Sequence, residues 1–369
     1  MEASTLSHVD APQTPDQATI SAVPPHQADI TAQGVLDSGP NRDPSQDHSL
    51  ADLFRLLPAD PDRGIPLLYF SDLKLACEQV DRRRPTSSGW FDEAWLQLTA
   101  IARPPGQLMS RSIQRVADVE FDRMVGFSPS DVDRFAQWAA SGHWVADLRV
   151  ETVWLTGWLD ANPYWTLDPE GDGTWRSDSQ AVVETNPQGP LPPEGFLRLR
   201  IHGEVVEVAE LNEQALPEPF VHSESALNLV GIEPLLGALE GDAMFAWLLP
   251  DAPEIGWRDN VAPSDSAEPL IGVQALALAA VVGVDGQPVT AVFVVNDSPE
   301  IAARNAQPLA RNLQAQVERY RGEDAEVRVT TVDGRILRVE TNLPGQHAQR
   351  AVTRVDTELL SAVGASPEP

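Results

Sequence analysis

The sequence is poor in cysteine and in positive charge, and each shortage excludes a class of protein. Cys77 is the only cysteine, so an intramolecular disulfide framework and a cysteine-based zinc site are both excluded. Lys74 is the only lysine, and 26 basic residues stand against 55 acidic ones, which gives a formal net charge of −29. A surface of that charge repels a phosphate backbone. We therefore expect no nucleic-acid partner.

Long apolar runs and targeting signals are also missing. No stretch approaches the ~20 apolar residues that a membrane-spanning helix needs, so no transmembrane segment is predicted. The N-terminus lacks the basic, apolar and small-residue order of a signal peptide. If Met1 is the true start, this indicates a cytoplasmic chain, although a mature exported protein without its leader would begin in the same way. Residues 1 to 50 contain six prolines among polar and acidic residues, which predicts a disordered tether.

The remaining chain is long and apolar enough for two folded modules. With 369 residues and 42% hydrophobic residues, it can bury a substantial core. We predict an α+β fold made of two modules of antiparallel β-hairpins packed with helices, after the disordered N-terminal tail. Residues 51–215 form the module with a tryptophan-rich sheet, and residues 216–365 form the module with a hairpin, a helix and a second hairpin. The two halves are loosely alike, but no residue pattern repeats.

Local signals in the second module are the clearest in the chain. Apolar runs flank Asp285-Gly286, a pair typical of hairpin turns because Gly tolerates positive φ. A second hairpin is predicted around Asp333-Gly334, with a three-residue loop and Gly334 in the left-handed region. Between the hairpins, Ser298 and Pro299 are expected to start a helix. Pro308 lies inside that helix and predicts a kink or a break.

The first module begins with helical patterns and then turns to β. Ser71 is expected to cap a helix that follows a short buried strand. Ser128-Pro129 predicts the start of another helix, with Val132 and Phe135 on its apolar side. From Trp144 to Leu211 the pattern favours strands, one of them from Thr152 to Leu159.

Tryptophan is concentrated in this β-rich part, where six of the ten indoles lie within residues 138–175. An exposed row of indoles on a sheet would offer flat apolar surfaces to a sugar or a peptide. The candidate binding residues are Trp154, Trp158, Trp165 and Trp175. The alternative is that these side chains fill the core of a sheet that has few large aliphatic residues.

One acidic turn has the residue types of a calcium loop. Asp168, Glu170 and Asp172 place carboxylates at alternate positions before a glycine, as calcium loops do. The twelfth position of such a loop should carry a bidentate acid, but Ser179 stands there. A solvated hairpin turn is the alternative to a Ca²⁺ site. No other cofactor is predicted.

Three short motifs lie near the start of the body: Leu56-Leu57-Pro58 with Pro61, Tyr69-Phe70-Ser71-Asp72, and Gly126-Phe127 with Asp131-Val132-Asp133. Together they resemble uncharacterised bacterial lipoproteins, in which a disordered tether precedes an α+β body. The resemblance implies an exported, membrane-tethered protein and carries no known activity. It therefore favours an extracytoplasmic or cell-surface location.

Catalytic signatures are absent from the sequence. It contains no G-x-S-x-G elbow, no phosphate-binding loop, no dinucleotide-binding glycine pattern and no H-E-x-x-H helix. The first hypothesis is thus a binding or interaction protein with an unknown protein or carbohydrate ligand. The alternative is a hydrolase of unknown substrate that uses some of the 55 acids as catalytic carboxylates. Converging carboxylates or a histidine in a deep cleft would favour the enzyme.

Overall fold

The computed structural model describes the chain in segments. They are residues 48–59, 68–79, 102, 125–127, 131–138, 143–162, 165–168, 173–177, 197–210, 224–250, 270–321 and 324–346. Several predictions fall outside these segments. They are the disordered tether up to residue 47, the module boundary near residue 215 and the end of the second module near residue 365.

The described residues form five α-helices and twelve β-strands. The helices are α1 (Leu50–Leu56), α2 (Leu73–Gln79), α3 (Thr152–Ala161), α4 (Ile232–Leu239) and α5 (Pro299–Arg321). The strands are β1 (Leu68–Asp72), β2 (Val132–Trp138), β3 (His143–Leu148), β4 (Trp165–Leu167), β5 (Thr174–Ser177), β6 (Leu197–His202), β7 (Val205–Glu210), β8 (Ala243–Pro250), β9 (Val273–Val282), β10 (Pro288–Asn296), β11 (Val327–Val332) and β12 (Ile336–Pro344).

All twelve strands belong to one antiparallel sheet, so the predicted pair of α+β modules is wrong. The strand order is β11-β12-β10-β9-β8-β1-β2-β3-β7-β6-β5-β4. The halves join where β1 pairs with β8, with Tyr69 opposite Trp247. Every residue of both strands is buried, and an unpaired edge there would leave buried backbone groups without hydrogen-bond partners. The fold is mainly an antiparallel β-sheet with helices on its faces.

Helices cover both faces of the sheet. Apolar residues of α2, α3 and α5 pack on the first face, in a core that includes Tyr69 and Trp144. Apolar residues of α1 and α4 pack on the second face, in a core that includes Phe70 and Trp138. Successive strand residues point to opposite faces, so neighbours such as Tyr69 and Phe70 belong to different cores. The two faces are named first and second below.

The two halves of the chain repeat one layout. Each has a helix on the second face (α1 or α4), three antiparallel strands (β1–β3 or β8–β10), a helix on the first face (α3 or α5) and a hairpin (β6–β7 or β11–β12). In both halves the last strand of the hairpin pairs with the third strand. Because β1 and β8 are antiparallel neighbours, the layouts are related by an approximate twofold axis between them. The first half also contains α2 and the strands β4 and β5.

The two hairpins of the second half form as predicted. Strands β9 and β10 are joined by residues 283–287, and Gly286 has φ 78°. Strands β11 and β12 are joined by the expected three-residue loop, in which Asp333 has φ 50° and Gly334 has φ 69°. Val329 lies opposite Val339, as the alternation predicted.

Helix α5 begins where the sequence predicted but does not break at Pro308. The N–H of Ile301 donates to Ser298 Oγ at 3.3 Å, and the helix then runs without interruption from Pro299 to Arg321. An interior proline costs about 3 kcal/mol through a lost hydrogen bond and a steric clash. Burial of the next apolar side chain, Leu309, and of those further along the helix offsets that cost.

Two segments of the first half have the opposite secondary structure to the one predicted. Residues 132–138 were expected to be helical but form β2, whose residues pack on both faces: Phe135 in the first core and Ala136 in the second. A strand buried on both faces has no alternation that could distinguish it from a helix. Residues 152–159 were expected to form a strand but lie in α3, where Leu155 and Leu159 are buried four positions apart. The prediction was wrong because the composition of these residues favours β-strands.

The predicted cap of α2 is displaced by one residue. Ser71 is a buried strand residue, and the N–H of Leu75 instead donates to Asp72 Oδ1 at 2.7 Å. Asp is as good a capping residue as Ser. The chain thus passes directly from β1 into α2.

Candidate functional site

Two of the four candidate indoles are buried in the sheet. Trp165 and Trp175 are each 6% exposed and belong to the core of the first face. Trp175 Nε1 donates to Asp160 Oδ1 at 3.3 Å. Trp165 lies opposite Ser177 in the β4–β5 pair. These two side chains fill the core, and neither presents a flat face to solvent.

The other two candidate indoles lie on a helix instead of a strand. Trp154 and Trp158 are on α3, four positions apart and therefore on one side of it. Both are half-buried and pack against the first core. A Cβ atom added at Gly126 would lie 2.4 Å from Trp158 Cε3, so this indole is held tightly by its neighbours. None of the six clustered indoles falls in the exposed class.

The calcium hypothesis concerns residues that the structure describes only in part. Asp168 follows β4, and its N–H donates to the carbonyl of Thr174 at 2.7 Å. Glu170 and Asp172 lie outside the described residues. In the described part of the chain, no three His, Cys, Asp or Glu side chains are grouped closely enough to hold a metal ion. A Ca²⁺ ion at the turn stays a prediction.

The most unusual surface is a group of arginines on the second face of β5 and β6. Leu197, Leu199 and Ile201 of β6 pack against the first core, so Arg198, Arg200 and His202 point to the opposite face. Arg176 of β5 lies directly opposite Arg198 and shares that face. We call Arg176, Arg198 and Arg200 the arginine face.

The strand register brings the Cβ atoms of these three arginines close together. Residues two apart on one strand are about 6.7 Å apart along it, and directly opposite residues on antiparallel strands have Cβ atoms about 5 Å apart. Arg176 is exposed, and Arg198 and Arg200 are half-buried. Like charges directly opposite one another destabilise a strand pair. Among the described residues, neither Arg176 nor Arg198 forms an ion pair, so the pair is positive and uncompensated there.

Other arginines on the second face are paired with acids. Arg134 lies 2.9 Å from Asp72 and 2.8 Å from Glu240. Burial alone would lower the pKa of Arg134, but the surrounding carboxylates raise it above the usual value, so the side chain is firmly charged. Arg338 lies within 2.8 Å of Asp242 and of Glu340. Arg134 and Arg338 are thus compensated, whereas Arg176 and Arg198 have no ion pair among the described residues.

The matching position in the second half lies opposite an acidic residue. Arg198 lies four residues before His202, which closes the β6–β7 hairpin, and Arg328 lies four residues before the residue that closes the β11–β12 hairpin. Arg328 is opposite Glu340 in the neighbouring strand. Arg198 is opposite Ala209 on one side and Arg176 on the other. The same place in the repeated layout thus has a carboxylate in one half and none in the other.

A buried carboxylate lies next to the arginine face. Glu207 of β7 is 2% exposed and directly opposite Arg200. His143 Nε2 lies 2.8 Å from Glu207 Oε1, and His202 Nε2 lies 2.7 Å from Glu207 Oε2. Burial would raise the pKa of Glu207, but hydrogen bonds and attraction from the two imidazoles outweigh it and lower the pKa below its usual value. Glu207 is therefore ionised, and both Nε2 atoms donate to it.

Two kinds of chemistry are available at this place. The arginine face can bind carboxylate or phosphate groups, since a guanidinium donates several hydrogen bonds in a plane. His202 keeps 32% of its side chain exposed while Glu207 orients its ring, an arrangement that suits a general base.

No described helix is both long and apolar enough to span a bilayer.

The sequence contained part of the signal for this site. Arg198, Arg200 and His202 alternate with three aliphatic residues, so a predicted strand at these positions already places them on one face. The meeting of Arg198 with Arg176 depends on the β5–β6 register, which no local pattern specifies. Glu207 has its partner His143 64 residues away, a pairing that spacing could not suggest.

Comparison with known proteins identifies no relative of this chain. No protein-family model matches the chain, and neither a curated protein nor a solved structure shows significant similarity to it.

Proposed function

We propose that the protein acts by binding, and that its arginine face holds an acidic segment of a partner protein. The observation that carries the proposal is the pair Arg176 and Arg198, which face each other and form no ion pair among the described residues. In a chain with 55 acids and 26 bases, compensating acids are plentiful. A ligand carboxylate between the two guanidinium groups would remove their repulsion.

The spacing of the arginines favours an extended peptide as the ligand. Arg198 and Arg200 are about 6.7 Å apart along β6. Alternate side chains of an extended peptide have that same separation, so acids at every second position would meet both arginines. The chain as a whole has a net charge of −29 and repels such a peptide. Binding is therefore confined to the place where positive charge is concentrated.

Binding of a fluorescein-labelled hexaglutamate peptide, followed by fluorescence anisotropy at low salt, tests the proposal. Arg198→Gln and Arg176→Gln should each weaken binding roughly tenfold, which corresponds to about 1.4 kcal/mol. Arg328→Gln is the matched control, because it removes the same charge at the equivalent position of the second half. The proposal is wrong if the control weakens binding as much as Arg198→Gln, or if the wild-type protein does not bind the peptide.

A hydrolase is the second candidate, and the His202–Glu207 pair is the observation that favours it. Glu207 would orient His202 to take a proton from water or from a substrate hydroxyl group. Replacement of His202 by Gln should then abolish hydrolysis of p-nitrophenyl esters while peptide binding persists. Equal and negligible hydrolysis by the wild type and the variant would contradict this candidate.

Other parts of the sequence-based hypothesis stay as proposals. A carbohydrate ligand would need a stacking surface, and Trp154 and Trp158 are the two candidates with partial exposure. An extracytoplasmic or surface-tethered location rests on the resemblance to lipoproteins. Cell fractionation followed by detection of the protein in the membrane or the soluble fractions would test it.

A further inference from the structure

The edge of the sheet at β11 differs from the equivalent place in the first half. There β6 pairs with β7 on one side and with β5 on the other. In the second half, β11 pairs with β12, and no other strand among the described residues lies beside it. Since the two halves share one layout, β11 lacks, within the described part of the chain, the neighbour that its counterpart has.

The backbone groups that face this edge can be identified from one pair of hydrogen bonds. The N–H of Asn342 donates to the carbonyl of Glu326, and the N–H of Glu326 donates to Asn342 Oδ1. Both peptide groups of Glu326 thus point toward β12. This direction alternates along an antiparallel strand. The N–H and C=O groups of Val327, Val329 and Thr331 therefore point away from β12, toward the edge.

The side chains beside this edge have a counterpart in the first half. Val327 and Val329 are half-buried and pack against the first core, whereas Thr331 is exposed. Val329 lies three residues before the pair that closes its hairpin, as Leu199 does in the first half. Opposite Leu199 lies Trp175 of β5, which is 6% exposed. The matching place opposite Val329 has no such side chain among the described residues.

We propose that the β11 edge binds an extended segment of a partner polypeptide, which adds to the sheet as an antiparallel strand. The outward N–H and C=O groups would supply the hydrogen bonds, as in other cases of strand addition. A large apolar side chain of the partner would lie opposite Val329, in the position that Trp175 has beside Leu199. A second copy of this chain would carry the same net charge of −29, so the partner segment is basic. This site is separate from the arginine face and independent of it.

A peptide that copies β5 provides a defined probe. The peptide has the sequence of residues 173–177, Gly-Thr-Trp-Arg-Ser, between two pairs of lysines and carries fluorescein. We expect it to bind the full chain. Thr331→Pro removes an outward N–H, a change that edge strands tolerate, and should weaken binding by roughly tenfold or more, the loss of about one good hydrogen bond. Thr331→Ala keeps that N–H and should bind within about twofold of the wild type.

Hydrogen exchange provides a second measurement that needs no variant. The amides of Val329 and Thr331 should exchange quickly in the free protein and slowly with the peptide bound, while a peptide with N-methylated amides should protect neither. Equal binding to the proline and alanine variants would overturn the proposal. So would no binding by the wild type, or slow exchange of both amides in the free protein, which would mean that the edge is already occupied.

Discussion

Replacement of Glu207 by Gln tests whether the buried histidine–carboxylate cluster stabilises the fold. The substitution keeps the size of the side chain but removes its charge, so His143 and His202 lose a charged acceptor. A hydrogen bond to a charged group contributes about 1.5 to 3 kcal/mol. Gln can still accept one hydrogen bond through its amide oxygen, so we expect a loss of about 2 to 3 kcal/mol. Urea unfolding at pH 7, followed by tryptophan fluorescence, measures it.

The pH dependence of this loss provides the sharper test. The pKa of Glu207 is lower in the folded protein than its usual value of 4.5. Its contribution to stability is therefore complete above pH 4.5 and is lost as the pH falls through the folded value. The difference between wild type and Glu207→Gln should shrink as the pH falls below 4.5. A difference that stays the same down to pH 3 would refute the reasoning.

Four further substitutions test the packing. Trp175→Ala should lower the free energy of unfolding by about 3 to 5 kcal/mol, because it leaves a cavity in the first core. Trp154 is half-buried, so Trp154→Ala should cost less. Equal losses in urea unfolding would contradict the assigned burial. Gly126→Ala should destabilise by about 1 to 3 kcal/mol, since Gly126 has φ 81° and its new Cβ would overlap Trp158; a melting temperature equal to that of the wild type would contradict this. Asn305→Ala should lower the free energy of unfolding by about 1 to 3 kcal/mol. The Asn305 side chain forms hydrogen bonds with the backbone of Ile271 and with the side chain of Asn296. Thermal unfolding should show the loss.

Local signals predicted local structure correctly in the second half. Asp285-Gly286 and Asp333-Gly334 favour their turns through the backbone freedom of glycine, and Ser298 with Pro299 determines where α5 begins. These preferences act within a few residues, so they are readable in a single sequence. The continuity of α5 through Pro308 is not local, because it depends on packing against strands of the sheet.

The pairing of strands that are far apart in the chain could not be predicted from the sequence. Leu68 pairs with Leu248 across the centre of the sheet, and both strands are apolar runs that could have paired with any other buried strand. The predicted separation into modules followed from that ambiguity. The same ambiguity concealed the nature of β2, where Phe135 and Ala136 are buried on opposite faces.

The repeated layout explains why the candidate sites were hard to find and also where to look for them. Cores tolerate many apolar sequences of similar volume, so two halves can keep one arrangement of strands and helices without a common residue pattern. Positions that match in the layout but differ in chemistry are then the informative ones. Arg198 lies opposite Ala209 where Arg328 lies opposite Glu340, and β11 has no second neighbour among the described strands where β6 has β5. Each difference leaves one half without a stabilising interaction that the other half has. Packing within the sheet requires neither difference. These are the two places where we propose that partners bind.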